Sequence, residues 1–189
     1  MSRVLFRGIC YLSILLLFTS CTTKRPALQA VQPLVNVDQE GLAATLSFRD
    51  DASLTREFGS ETNPFRTEYA KLQFRRRLVF DLSLENRSPE EYRFRLADCE
   101  LQYGGKTVGA TNSFQLINEW RMMDSSPKMA AQKEPIIKKT MVPAEKLVPA
   151  GSSLRGLLLF QGNLPAHGPA RIIIGGVAEG LPLQFDFEF

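Results

Sequence analysis

Apolar and polar side chains alternate residue by residue through much of this chain, and that pattern limits its folds more than any other feature. Leu78, Phe80, Leu82 and Leu84 fall on one face, while Arg77, Asp81, Ser83 and Glu85 fall on the other. The last nine residues repeat the pattern, with Leu181, Leu183, Phe185, Phe187 and Phe189 against Pro182, Gln184, Asp186 and Glu188. Leu42, Ala44, Leu46 and Phe48 make a third such series. Side chains of a strand point alternately to its two faces, so this pattern predicts antiparallel sheets with one buried and one wet face.

Turn chemistry divides the series. Asn86-Arg87-Ser88-Pro89 ends one strand, and Tyr92, Phe94 and Leu96 begin the next. The apolar parity then slips by one residue, to Cys99, Leu101 and Tyr103, which predicts a bulge or bend near Ala97-Asp98 where the chain crosses between sheets. Gly104-Gly105 is a hairpin turn. Pro149-Ala150-Gly151 precedes a buried strand over Leu154–Phe160, and Arg171–Ile174 leads through a loop at Glu179-Gly180 to the final strand. Two segments break the alternation. Ala52–Phe58, with Asp51 as N-cap and Gly59 as stop, predicts two helical turns. From Ser113 to Lys139, Leu116, Ile117, Trp120 and Met123 recur at helical spacing, and Pro127 and Pro135 bracket a further short helix. The expected fold class is all-β: an antiparallel β-sandwich of about 7–9 strands with short helical insertions.

The first 21 residues follow a different logic. Arg3 and Arg7 precede an almost wholly apolar run, Ile9 to Phe18, and Thr19-Ser20 supplies small residues before Cys21. A run of ten residues is too short to span a bilayer, which needs roughly 17–25 in a helix. The order of charge, apolar run, small residues and cysteine marks an export signal. Leu17-Phe18-Thr19-Ser20-Cys21 resembles the lipobox of bacterial lipoproteins, with Phe18 where the family usually carries leucine. That resemblance implies cleavage before Cys21, diacylation of its sulfur, and a position at the cell envelope facing the periplasm or the cell surface. Thr22 rather than Asp after the cysteine favours the outer membrane. The expected organisation is a signal peptide over 1–20, a lipidated cysteine and polar tether over 21–33, and a single β-sandwich domain over 34–189. Leu78–Ser88 and Leu147–Phe160 are similar to segments of uncharacterised Ig-like lipoproteins and secreted domains of bacteria, which implies an Ig-like sandwich and carries no catalytic residues across.

Removal of residues 1–20 leaves one domain's length, and loss of Arg3 and Arg7 takes the formal charge from +3 to near zero. So little excess of positive charge excludes a general nucleic-acid binder, whose affinity rests on many phosphate contacts. Cys10 leaves with the signal and Cys21 is taken by lipid, so Cys99 has no partner for an internal disulfide and reads as a small core residue.

Catalytic chemistry finds little material. Gly105-Lys106-Thr107 lacks the upstream glycine of a phosphate-binding loop, because Glu100 stands there, and strand-like Val108 follows. One histidine, His167, cannot build a two-histidine zinc motif. Met122, Met123, Met129 and Met141 with Cys99 and His167 are soft ligands, but core filling accounts for the methionines. The reading is therefore a non-catalytic binding or scaffolding module, with no cofactor and no metal, held to a membrane through its lipid and meeting another envelope protein. An extracytoplasmic enzyme or metal handler using His167 is the alternative. Trp120, in the helical insertion, and the basic residues Arg75, Arg76, Arg93 and Arg95 are the candidate interaction surface.

Overall fold

Strands of this chain assemble into multiple antiparallel sheets, seen in a computed structural model that describes residues 27–67, 69–70, 73–74, 76–123, 127–175 and 182–189. The signal segment, Cys21 and Arg75 lie outside the described residues, as does the loop at Glu179-Gly180. One four-stranded sheet has the order β1-β2-β5-β10, formed by Leu34–Gln39, Leu42–Arg49, Arg76–Asn86 and Ser153–Gly162. The other has the order β12-β11-β7-β8, formed by Leu183–Glu188, Pro169–Ile174, Cys99–Tyr103 and Lys106–Gly109. Two small pairs complete the set: β3 (Tyr69–Ala70) with β4 (Gln73–Phe74), and β6 (Tyr92–Arg95) with β9 (Glu145–Val148).

The alternating residues fill one core. Leu46, Leu78, Phe80 and Leu82 of the first sheet and Leu101, Ile172, Phe185 and Phe187 of the second belong to the same buried cluster. Rings join the sheets directly, Phe80 to Phe187 at 5.1 Å between centroids and Phe48 to Phe189 at 4.9 Å. The parity slip has its cause in a 3-10 turn, Leu96–Asp98, which carries the chain from β6 into β7 of the second sheet. Gly104 and Gly105 close the β7–β8 hairpin with φ of +59° and +70°, values that only glycine adopts at little cost.

Helices make the molecule mostly β rather than all-β. Helix α1 (Asp51–Phe58) starts one residue earlier than expected. Asp50, not Asp51, has the extended backbone of an N-cap, and its carboxylate accepts the Ser53 N–H at 2.6 Å. Helix α2 (Ser113–Met123) opens with a reciprocal cap: Asn112 Oδ1 accepts from Gln115 N–H, and Gln115 Oε1 accepts from Asn112 N–H. Helix α3 (Pro127–Thr140) does not stop at Pro135 but runs through it. Pro135 and Ala131 both stand on the exposed side of the helix, where a carbonyl left unpaired by proline is cheapest to tolerate.

These helices cover part of the outer face of the first sheet, over β5 and β10. Leu54 of α1, Leu116, Ile117 and Trp120 of α2 and Ile137 of α3 pack on Val79, Leu157 and Leu159, which point away from the inter-sheet core. The face of β5 expected to be wet is therefore wet only beyond Val79. Arg77 is covered, whereas Asp81 and Glu85 are exposed. At the far end of β5, Asn86 is fully buried. Its amide donates to the carbonyls of Glu90 (2.7 Å) and Val148 (2.8 Å), and its oxygen accepts from the Ser88 N–H and hydroxyl. No helix among the described residues is long and apolar enough to cross a membrane.

Candidate functional site

Trp120 sits on the inner face of α2, because Leu116, Ile117 and Trp120 recur at the spacing that faces one side of a helix. It is 2 % exposed, which corrects its expected place on an interaction surface. Its indole N–H donates to the Pro64 carbonyl at 2.8 Å. Two cations lie against the ring: Lys133 Nζ is 3.5 Å from its centroid and the Arg77 guanidinium carbon 5.0 Å. Arg77 also donates to the carbonyls of Pro64 and Arg66 and pairs with Glu119 at 3.2 Å. This cluster locks the helical layer onto β5. The sequence concealed it because Arg77 falls on the strand face expected to be wet.

The described arginines of the candidate surface differ in exposure. Arg76 is buried, at 4 % exposure, which removes it from any open patch. Arg93 and Arg95 do stand on the wet face of β6, each with an acidic neighbour. Arg93 lies 3.6 Å from Glu145, and Arg95 makes a two-bonded contact with Asp98 at 2.7 and 2.8 Å. The Arg95 guanidinium holds the Asp98 carboxyl below the usual range. Paired in this way, the two arginines present little uncompensated positive charge. The soft ligands are also dispersed: Cys99 lies in the inter-sheet core, Met141 under the helices, and Met122 is exposed. Burial pushes the Cys99 thiol up to about 12, so it is an unreactive core group.

What the fold does bring together lies at the opposite end of the second sheet. The β7–β8 turn, the loop before β11 and the end of β12 surround an open groove of about 840 Å³. Lys106, His167, Arg171, Asp186 and Glu188 line it, with Gln102 and Thr107 between them. The incoming chain forms one rim through Val31 and Gln32, held by a bond from Val31 N–H to the Glu188 carbonyl at 2.8 Å. Arg171 and Asp186, opposite each other on β11 and β12, close into a two-bonded pair at 2.7 and 3.2 Å. Lys106 Nζ donates to the Asn163 carbonyl at 3.0 Å, a neutral acceptor.

Three solved structures are similar to this chain. They are the YjhA protein of Bacillus subtilis (11 % identity over 75 % of this chain and 78 % of that one, TM-score 0.43), a candidate lipoprotein of Bacillus subtilis, YcdA (10 %, 81 % and 38 %, TM-score 0.48), and a protein of unknown function from Listeria monocytogenes (14 %, 87 % and 86 %, TM-score 0.45). No protein-family model and no curated protein matches the chain.

The groove offers donors and acceptors of both charges, with one imidazole among its lining side chains. Among the described residues no three His, Cys, Asp or Glu side chains come together as a metal-binding group.

Proposed function

We propose that this protein is a lipid-anchored lipoprotein of the cell envelope whose Ig-like domain acts as a non-catalytic binding or scaffolding module. The sequence Leu17-Phe18-Thr19-Ser20-Cys21, behind two arginines and an apolar run, carries the proposal. Two acyl chains on one cysteine hold a protein stably at a bilayer, at about 0.8 kcal/mol per buried methylene.

Strand order supports the Ig-like reading. The runs β2-β5-β10 and β12-β11-β7-β8 correspond to the A-B-E and G-F-C-C′ orders of that fold, with crossings between the two sheets after β5, after β8 and after β10. The groove at the tether end, with its paired and unpaired charges, supports binding over catalysis.

Membrane fractionation with intact-mass measurement tests the proposal. The full chain sediments with membranes carrying a diacylglycerol-sized addition at Cys21, and Cys21→Ser is found in the soluble fraction without it. An unmodified thiol at Cys21, or a product that keeps Met1, overturns the proposal.

A further inference from the structure

The incoming chain and a second groove share one end of the molecule. Ala27 and Leu28 border Phe48, Arg49 and Arg76, at the end of the first sheet where β5 begins, and Leu28 packs against the inter-sheet core. Arg76 and Arg77 are the register partners of Gly162 and Gln161, the last residues of β10. Gln161 and Gly162 in turn line an open groove of about 740 Å³ together with Phe114, Asn118 and Met122 of α2. These three recur every fourth residue, so they form one stripe of the helix, opposite the buried Leu116, Ile117 and Trp120. Among the described residues, the most exposed large apolar side chains are Met122 (82 %), Val31 (79 %) and Phe114 (69 %). Val31 lies on the incoming chain between Leu28 and Pro33, whose carbonyl accepts from Phe48 N–H. All three therefore belong to the end that receives that chain. The far end differs in kind: around buried Asn86 it exposes Glu85, Arg87, Glu90 and Glu91.

Scattered apolar residues are ordinary on a protein surface, but three of the most exposed at one end call for a cover. The tether identifies it. Cys21 precedes Ala27 by six residues, a span of at most about 22 Å when fully extended. A lipid on Cys21 therefore keeps this end within that distance of the headgroup layer. Lys24 and Arg25, in the same span, add attraction to anionic headgroups, which the acidic far end would oppose. We infer that the Phe114–Met122 stripe of α2 seats in the interfacial layer of the bilayer that holds the anchor, with Val31 at the same surface. An aromatic ring and an unbranched apolar chain on one helix stripe suit the boundary between headgroups and acyl chains. Seated in this way, the body points its Asn86 end away from the membrane. The inference rests on the lipid anchor proposed above.

A nitroxide at single positions reads the seat. Cys10 leaves with the signal, Cys21 carries lipid and Cys99 is buried, so an introduced cysteine is the one reactive thiol of the acylated protein. Phe114→Cys, Met122→Cys and, at the far end, Glu90→Cys are labelled one at a time. The acylated protein is placed in vesicles of phosphatidylethanolamine and phosphatidylglycerol. Relaxation of each label by oxygen and by a water-soluble nickel chelate is then measured. Labels at 114 and 122 are expected to lose the chelate's effect and keep that of oxygen, while the label at 90 stays open to both. Phe114→Asp, which puts a charge on the stripe, is expected to restore chelate access to the label at 122. The substituted side chains are exposed, and Trp120 emission verifies that each variant is folded. Shielding at 122 that survives Phe114→Asp shows nearness through the tether alone and overturns the seat. Shielding that vanishes when the protein is diluted among excess vesicles shows a second copy as the cover, and also overturns it. Intact mass on the same sample separates the two claims. Acylated protein whose labels at 114 and 122 are as open to chelate as that at 90 refutes the seat alone, whereas an unmodified Cys21 refutes the anchor and the seat with it.

Discussion

Trp120 gains its hold from an indole bond to Pro64 and from two cations against the ring. Trp120→Ala removes all three and opens a cavity, at an expected cost of about 3–5 kcal/mol in urea unfolding. Trp120→Phe keeps a ring for the cations but loses the N–H donor, and should cost about 1–2 kcal/mol. A similar cost for both variants would refute the cation–ring contacts as a source of stability. Asp50 acts through its cap. The Ser53 N–H bond holds its carboxyl below the ordinary value, so its contribution is present above that value and is lost as pH falls through the lowered one. Asp50→Ala should therefore cost about 1 kcal/mol near neutral pH and little in strong acid, read by denaturant midpoints at each. Asp51 has the opposite sign: burial raises its carboxyl, so its contribution is lost as pH rises through the raised value. At this scale the sequence spoke clearly for Cys99 and for the Gly104-Gly105 turn, which depend on local chemistry. It misplaced Arg76, Arg77 and Trp120, whose surroundings come from segments far along the chain.

Elements show the same division. Period-two alternation located β5 and β12 because one face of each meets the shared core. The run Leu157–Phe160 is buried on both faces, and its unbroken apolar character is the sequence signal for the helical layer above it. Gly156 marks where that layer returns to the sheet. A Cβ there would lie 3.0 Å from the Thr140 carbonyl and from the Val142 nitrogen, both backbone atoms. Gly156→Ala should thus destabilise by about 1–3 kcal/mol through overpacking. The loss should appear in the thermal midpoint followed by Trp120 emission. A midpoint equal to the parent protein's would show that the chain from α3 can shift away from β10. Pro135 misled the helix boundary because its cost is least on a solvent-facing side, and Pro135 and Ala131 are both exposed residues of α3.

The whole molecule has one sheet face under helices and another open to solvent, with the incoming chain at one end. The groove escaped sequence reading because Val31, Lys106, His167, Arg171 and Glu188 meet only after both sheets have formed. At the opposite end, Asn86 bonds the turn that follows β5 through Ser88 and Glu90, and its backbone carbonyl takes the Gly151 N–H at 2.7 Å. Two surface turns separated by some sixty positions in sequence are thereby fastened by a single residue. They must loosen in concert. Amide hydrogens of Ser88 and Gly151 should exchange with one shared protection factor, and Asn86→Ala should accelerate both together. Anything that docks on that tip would meet a surface already stiff before contact, and would forfeit little motional freedom on arrival.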